Sequence, residues 1–310
     1  MIQSIQDISI IFISIILEAF PFIMLGVIIS AIIQEYVSDD FIPKVMPKNP
    51  VLGALVGVLM GLVIPVCDCA VIPISRRLIK KGIPLNVGVT FMLASPIINP
   101  IVIIATIYSF GATIPNMVIY RSLLGVAIAI VIGLIISMTT KKNEVFLKEN
   151  TTFKKKHTHS HSCSCGQADN NELNRNKIGN RIIRIIGHSK DEFFEIIKYL
   201  IIGCLIASSA QVLIPRDILN SFSGNGIVPI FILMLFAYLI SLCSTSDSFV
   251  AKTFTSHFSH NSILAFLLLG PMIDVKNTIV LLGNYNKKFV IKLISLIFIF
   301  VFIISLIVTI

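Results

Sequence analysis

Two cysteines flank an aspartate in the segment Pro65-Val-Cys-Asp-Cys-Ala-Val-Ile-Pro73, which ends an apolar run. Thiolates are soft ligands that suit thiophilic metals and metalloids. Positions two apart point to different faces of a regular helix, but the prolines favour an unwound backbone on which Cys67 and Cys69 converge. Asp68 adds a carboxylate, which is costly inside a bilayer unless it is buried in protein or faces a wet cavity. The alternative interpretation is that the cysteines are small packing residues.

Three more segments interrupt apolar runs in a comparable way. Leu242-Cys-Ser-Thr-Ser-Asp247 matches the first break, whereas Pro96-Ile-Ile-Asn-Pro100 and Gly270-Pro-Met-Ile-Asp-Val-Lys-Asn277 lie near the centres of other runs. Each proline removes an intrahelical hydrogen bond, and discontinuous helices use the freed carbonyls to bind substrates or ions. We therefore predict one translocation site from both halves of the chain, comprising Cys67, Asp68, Cys69, Pro96, Asn99, Cys243, Asp247, Pro271, Asp274 and Lys276. The alternative is a set of proline kinks whose polar groups satisfy one another.

Glu18 joins this predicted site as a carboxylate inside an apolar run. Such a group can relay protons when it is held away from water. Glu195 occupies the equivalent place in the second half, but it is near enough to the start of its run to be an interfacial residue.

Histidine and cysteine alternate in the polar middle of the chain, at His157, His159, His161, Cys163 and Cys165. In an extended chain, alternate positions lie on one side, so these residues offer up to five nitrogen and sulfur ligands. The tract predicts binding of zinc or another transition metal as a cofactor. It lacks zinc-finger spacing, and a passive linker is the alternative.

The composition is that of a polytopic membrane protein. Of 310 residues, 55% are hydrophobic and only 13% are charged, with a mean hydropathy of +0.91. Soluble domains carry about 25% charged residues. The net charge of +9 is concentrated in residues 141–190, as expected for a cytoplasmic loop rather than for a nucleic-acid-binding surface. The sequence has no phosphate-binding Gly-rich loop, which argues against ATP hydrolysis by this chain.

Hydropathy predicts about eight transmembrane helices in an all-α fold, at residues 8–35, 51–67, 85–110, 115–138, 191–214, 227–248, 261–284 and 287–310. An internal repeat relates the two halves: Glu18 and Glu195 are 177 residues apart, and Pro96 and Pro271 are 175 apart. We predict two four-helix repeats, 1–138 and 191–310, with broken helices at their interface and a disordered linker, 139–190. Four crossings per repeat would give the two repeats the same orientation in the membrane. A re-entrant segment would make the number of crossings odd and the orientations opposite.

Basic residues predict the orientation of the spans. Arg76, Arg77, Lys80 and Lys81 follow the second span, which places that side in the cytoplasm together with the linker. Strict alternation then puts both termini in the cytoplasm. Lys287, Lys288 and Lys292 disagree with this scheme, because they fall at the predicted outer end of the last two spans. A re-entrant final hairpin or snorkelling of the lysines would explain their position.

The segments Pro65–Pro73, Arg76-Arg-Leu-Ile-Lys-Lys-Gly82 and Ala94-Ser-Pro-Ile-Ile-Asn-Pro100 resemble the first signature of the ArsP-type predicted permeases. Cys243-Ser-Thr-Ser-Asp-Ser-Phe249 and Leu269-Gly-Pro-Met-Ile-Asp-Val-Lys-Asn277 resemble the second. The resemblance implies an eight-helix permease of the cytoplasmic membrane. Some members export trivalent organoarsenicals. The Cys-acidic-Cys form is more similar to a branch that resembles one half of a two-part system, whose partner is a small membrane protein.

We accordingly predict a permease that moves a small solute, such as a thiophilic metal or metalloid species, and that is not an enzyme. Two alternatives stay open. One is a non-transporting, metal-responsive membrane subunit of a complex. The other is an intramembrane enzyme acting on lipid, with Asp68, Asp247 and Asp274 as acid and base groups.

Overall fold

The computed structural model describes residues 2–36, 46–47, 49–64, 66–111, 113–140, 142–146, 172–213 and 226–308. These residues form helices and short connections, with an isolated bridge between Phe146 and Tyr285. Within them, six helical segments are long and apolar enough to cross a bilayer, and two shorter apolar helices accompany these six. The prediction of an all-α polytopic membrane protein is confirmed.

In chain order the described helices are α1 Ile2–Tyr36, α2 Pro50–Val63, α3 Asp68–Lys80, α4 Leu85–Ile98, α5 Pro100–Phe110, α6 Asn116–Thr139, α7 Lys142–Val145, α8 Glu172–Leu213, α9 Ile227–Ile240, α10 Ser246–Thr253, α11 His260–Met272, α12 Val275–Asn284 and α13 Lys287–Ile307. Helices α4 and α5 make one crossing that is broken at Asn99, and α11 and α12 make one that is broken at Asp274. The prolines at 96 and 271 stand one turn before these breaks, as expected from their missing N–H groups.

Helices α2 and α3 form a hairpin whose two ends lie on the same side of the helix bundle. The Asn86 amide, at the start of α4, donates to the carbonyl of Pro50 at the start of α2 (2.6 Å). The Ser75 hydroxyl, near the end of α3, donates to a carbonyl in the first turn of α4 (2.9 Å). Both ends of the hairpin therefore lie beside the start of α4, whereas its tip at Val66 lies beside the break at Asn99.

Small residues allow this hairpin to pack closely. A Cβ at Gly57 of α2 would lie 2.6 Å from the carbonyl oxygen of Val87, and one at Gly61 would lie 3.0 Å from the backbone of Ser95. Glycine lets two helix backbones approach to this distance, as in many membrane helix pairs. Gly57 thus lies beside Val87, and Gly61 lies beside Ser95. Because the residue numbers increase together along both helices, α2 runs parallel to α4.

Helices α9 and α10 form the equivalent hairpin in the second half. The rings of Phe236 on α9, Phe254 at the end of α10 and Phe266 on α11 stack within 5.7–6.3 Å of one another. Toward the tip, a Cβ at Gly270 of α11 would lie 2.8 Å from the Asp247 carboxylate at the start of α10. Both helices of this hairpin therefore pack beside α11, and the turn between α9 and α10 lies near the C-terminal end of α11.

The two hairpins open toward opposite ends of the helix bundle. The Arg76 guanidinium of α3 donates to Asn284 at the end of α12 (2.7 Å), and the Lys292 ammonium of α13 donates to the carbonyl of Thr139 at the end of α6 (3.0 Å). All four residues thus mark one membrane face, here called the loop face because α7 and Phe146 also lie there. The first hairpin opens to the loop face, and the second opens to the opposite face. This packing is the one expected of inverted-topology repeats.

This arrangement changes the orientation expected for the termini. Helix α13 begins at the loop face and ends at the opposite face, and α1 runs antiparallel to α8, as the Phe20–Phe193 contact and the shared pocket of Ile15 and Gln211 indicate. With three long apolar segments and one hairpin in each half, this arrangement predicts termini on the side opposite the linker, whereas the sequence predicted both termini on the side of the linker. The same parity explains why Lys287, Lys288 and Lys292 lie at the loop face.

The described part of the linker is also more ordered than we expected. Helix α8 begins at Glu172, so that residues 172–190 are helical rather than disordered. Ile178, Ile182, Ile185 and Ile186 have the i, i+4, i+7, i+8 spacing of an amphipathic helix, a periodicity that we had overlooked.

The inverted topology predicts opposite locations for two epitope tags. A tag inserted at residue 167 and a tag after Ile310 should be digested by protease from opposite sides of the membrane, because an odd number of crossings separates them. Right-side-out and everted vesicles measure this directly. Digestion of both tags in the same vesicle preparation would contradict the inverted repeat.

Candidate translocation site

A buried ionic cluster joins the two halves near the centre of the fold. The Lys276 ammonium of α12 lies 3.5 Å from a carboxylate oxygen of Asp68 and 3.5 Å from one of Asp274. The Asn277 side-chain amide donates to the same Asp68 oxygen (3.0 Å). All four side chains are almost fully buried. Because Asp68 comes from the tip of the first hairpin, the cluster ties that hairpin to the broken helix of the other half.

Helix termini explain why these carboxylates are placed here. Asp274 is the N-cap of α12 and accepts from the backbone N–H of Asn277, whereas Asp68 lies in the first turn of α3. Both positions expose backbone N–H groups and the positive end of the helix dipole, which stabilise a carboxylate. The breaks in the helices thus create the ends that hold the charges.

The predicted cysteines meet in one pocket between the hairpin tips. Single ligand atoms of Cys67, Asp68 and Cys69 all lie within 4.8 Å of one another. Cys243, half-buried on the opposite hairpin, lines the same pocket of about 50 Å³. The full lining is Ile15, Glu18, Ala19, Phe22, Cys67, Asp68, Cys69, Gln211, Ser241, Leu242, Cys243, Ser246 and Lys276. Chemically, the pocket offers three sulfurs, two carboxylates and an ammonium to one solute.

The pocket extends from the hairpin tips toward the face opposite the loop face. Glu18, which is exposed, and Gln211 line it on that side, on the N-terminal part of α1 and the end of α8. Toward the loop face, the Arg76–Asn284 bond joins the two halves. Phe146 of the linker lies beside the Lys80 ammonium of the first half (5.6 Å to the ring centroid) and stacks on the Tyr285 ring of the second half. These contacts pack the chain together on the loop-face side of the pocket.

Pro96 and Pro271 face each other across a second, smaller cavity of about 10 Å³. It is lined by Asp68, Val71, Ile72, Met92, Pro96, Pro271, Met272, Asn277, Leu281 and Leu293. Asn99 lies at the break next to it, where its side chain accepts from the N–H of Ile101 (3.1 Å) and so caps α5. Asp68 thus separates the thiol pocket from a cavity between the two broken helices.

Asp247 is placed apart from the other predicted residues. It is buried beside Gly270 on α10 and lines neither cavity described above. Next to it lies Arg121, a fully buried arginine that donates to the hydroxyls of Thr106 (2.8 Å) and Ser248 (2.6 Å).

Our sequence reasoning missed Arg121 and Asn277. Arg121 also donates to the carbonyl of Ser244 at the tip of the second hairpin (3.1 Å), so that it links both halves. A lone arginine inside an apolar span was the signal, since such a charge is rarely without a role. Nothing in the sequence singled out Asn277. It lies next to the helix break, where asparagine is common because it caps helices.

Several predicted residues lie outside the part of the chain that the structure describes. The metal-binding tract His157, His159, His161, Cys163 and Cys165 falls there, as does Pro65. Helix α8 includes Glu195, but its side chain is not described.

Comparison with known proteins agrees with the geometry. YcgR, a UPF0718 protein of Bacillus subtilis (strain 168), is 41% identical over 299 residues, which cover 96% of each chain. A Streptococcus mutans serotype c protein named "Putative two-component membrane permease complex subunit" is 34% identical over 285 residues, 92% of this chain and 89% of that protein. UPF0718 protein YraQ of Escherichia coli (strain K12) is 25% identical over 77 residues, 25% of this chain and 22% of that protein.

No solved structure matches the chain. Among protein families, the one described as ArsP_1, predicted permease, matches residues 4–310. This match over nearly the whole length shows that the chain belongs to the ArsP_1 family of predicted permeases.

Proposed function

We propose that the chain conducts a small thiophilic solute, a metal or metalloid species, between the tips of its two re-entrant hairpins. The observation that carries this proposal is the pocket in which Cys67 and Cys69 of one hairpin face Cys243 of the other. Soft thiol donors select soft ions and metalloids over Mg²⁺ or Ca²⁺. Binding sites at the interface of inverted repeats, built from broken helices, are a recurring feature of secondary transporters.

The proposed mechanism is alternating access around this site. The pocket extends toward one face, while the Arg76–Asn284 bond and the Phe146–Tyr285 stack close the other. Since the halves are inverted repeats, exchange of their conformations would close the first face and open the second. The basic residues concentrated in 141–190 support a cytoplasmic loop face, with both termini outside. The chain would work without its own ATPase.

A partner protein is part of this proposal. The Streptococcus mutans relative is named as a subunit of a two-component permease complex, which supports a membrane partner for this chain as well. The exposed apolar side chains of α1, α2 and α9 would face lipid or such a partner.

Replacing the paired thiols is expected to abolish transport of a soft solute. Everted vesicles with the Cys67→Ser/Cys69→Ser variant should take up Zn²⁺, Cu⁺ or a trivalent arsenical at least about tenfold more slowly than wild type, because hydroxyls are poor ligands for soft species. Cys204→Ala is the matched control, since Cys204 is buried on α8 and does not line the pocket.

The control should retain wild-type uptake of whichever solute is transported. Equal uptake of all three solutes by wild type and the double variant would refute a thiol site. Uptake by none of the vesicles, with or without a co-expressed partner, would favour a non-transporting subunit.

A further inference from the structure

A basic cavity lies at the loop face, between the end of α6 and the start of α13. We propose that it binds the headgroup of one anionic phospholipid, such as phosphatidylglycerol, and that this lipid ties the two halves of the fold together at that face. The cavity shares no lining residue with the thiol pocket, so the proposal does not rest on the solute that the chain carries.

The first argument is the chemistry of the cavity. Its volume of about 410 Å³ is within the usual range of small-molecule sites. The described lining is polar apart from one aromatic ring, and it comprises Thr139, Thr140, Glu144, Asn286, Lys288, Phe289 and Lys292. Ammonium and hydroxyl groups are the donors that phosphate oxygens accept from. The single carboxylate, the exposed Glu144, can accept from a hydroxyl of a glycerol headgroup.

The second argument is the placement of the two lysines. Lys288 and Lys292 are four residues apart on α13, so they lie on one face of that helix. The Lys292 ammonium donates to the carbonyl of Thr139 and the hydroxyl of Thr140 (both 3.0 Å), which holds it at the end of α6 and leaves one of its three donors for a ligand. The Lys288 ammonium has no hydrogen bond or ion pair to a described residue.

The third argument is the local charge. The two segments that form the cavity, 139–146 and 286–292, contain five lysines and one acid, a net charge of +4. The positive-inside rule accounts for lysines beside a membrane span, but it requires neither a cavity nor an ammonium held in place. Basic pockets between transmembrane helices are the sites at which proteins bind anionic lipid headgroups.

The fourth argument is the position of the cavity beside the lipid-facing surface. Helices α6 and α13 are both long and apolar enough to cross a bilayer. Met138 and Ile291, which adjoin lining residues in sequence, are 86% and 62% exposed. A phospholipid can therefore place its headgroup in the cavity and its acyl chains against these apolar side chains. A soluble anion such as phosphate would gain only the polar contacts.

A lipid in this place would stabilise the packing at the loop face. Helix α6 belongs to the first half and α13 to the second, so one headgroup bound to Thr140 and Lys288 would bridge them. Phe289 also lines the cavity, and its ring stacks on Tyr285 (5.3 Å), which in turn stacks on Phe146 (5.7 Å). The cavity is thus continuous with the aromatic stack of that face.

Native mass spectrometry of the purified full-length protein tests the proposal. We expect phosphatidylglycerol to bind at least about tenfold more tightly than phosphatidylcholine with the same acyl chains. Lys288→Gln/Lys292→Gln should lower the affinity for phosphatidylglycerol at least about tenfold, because each basic residue near an anionic lipid surface contributes about fivefold. Lys198→Gln/Lys252→Gln is the matched control, since it removes the same charge from exposed positions outside the cavity, and it should retain wild-type affinity.

Two further variants separate binding from folding. Lys288→Gln alone leaves the contacts of Lys292 with α6 intact and should still lower the affinity about fivefold, whereas Lys288→Arg/Lys292→Arg keeps the charge and should retain it. Equal affinity for the two lipids, or an equal loss in the cavity variant and the control, would overturn the proposal.

Thermal unfolding in detergent distinguishes a lipid from a soluble anion. Phosphatidylglycerol should raise the unfolding temperature of the wild type but not that of Lys288→Gln/Lys292→Gln, and inorganic phosphate should leave both unchanged. Equal stabilisation of the wild type by inorganic phosphate would refute the lipid and indicate a site for a soluble anion.

Discussion

Replacing Lys276 with methionine is expected to destabilise the protein by about 3–5 kcal/mol and to abolish transport. The ammonium lies between the carboxylates of Asp68 and Asp274, and removing one partner of a buried ionic cluster leaves uncompensated charge in an apolar interior. Thermal unfolding of the purified protein in detergent, followed by intrinsic fluorescence or loss of monodispersity, measures the change.

A second substitution tests whether charge is the cause. Asp68→Asn added to Lys276→Met should recover more than half of the lost stability, because it removes the carboxylate that the lysine neutralised while an amide keeps the shape. Lys287→Met, at an exposed position at the start of α13, should change stability by less than about 0.5 kcal/mol. A Lys276→Met protein that unfolds at the wild-type temperature would show that the ion pairs do not hold the hairpin.

Replacing Arg121 with methionine is expected to have an effect of similar size, about 3–5 kcal/mol. The guanidinium donates to Thr106, Ser248 and the carbonyl of Ser244, and it is the positive charge next to Asp247. Methionine fills a similar volume but removes the donor to these three acceptors and the positive charge beside the carboxylate. The second hairpin should loosen, which limited proteolysis within residues 241–258 would detect along with the lower unfolding temperature.

Lysine at position 121 should give an intermediate result, since it keeps the charge but cannot reproduce the forked geometry of the guanidinium. Lys252→Met on the exposed side of α10 is the matched control and should leave the hairpin as stable as in wild type. Wild-type proteolysis of Arg121→Met would mean that the apolar contacts of the hairpin alone, such as Phe236 with Phe254 and Phe266, are sufficient.

The hairpins show where reading the sequence fell short. Helix α2 has 14 residues, which at 1.5 Å per residue is about 21 Å, too short for a bilayer core of about 30 Å. The apolar run nevertheless looked like a span. Hydropathy measures the cost of contact with water, and it does not show whether the chain crosses the bilayer or turns back to the side from which it entered. Whether the run crosses or returns depends on the contact of Asn86 with Pro50, 36 residues away.

The structure groups some of the residues predicted from the sequence and separates others. Cys67, Cys69, Cys243, Asp68 and Lys276 line one pocket, as expected from the two breaks. Asp247 was expected in it because it follows Cys243 closely in sequence. The short helix α10 begins between them and carries Asp247 toward Gly270 instead.

The sequence alone determined the membrane class, the internal repeat and the positions of the breaks. The length of an apolar run, a proline and an isolated charge can each be recognised without knowing the tertiary structure. Each has a local effect, because exposing unpaired backbone groups or charges to lipid is costly. Only the tertiary structure decided how the hairpins pack against the broken helices and which partners the buried charges have. Those features depend on residues that lie far apart in the chain, such as Asp68 and Asn277, and that meet only when two hairpins from opposite faces come together between the broken helices.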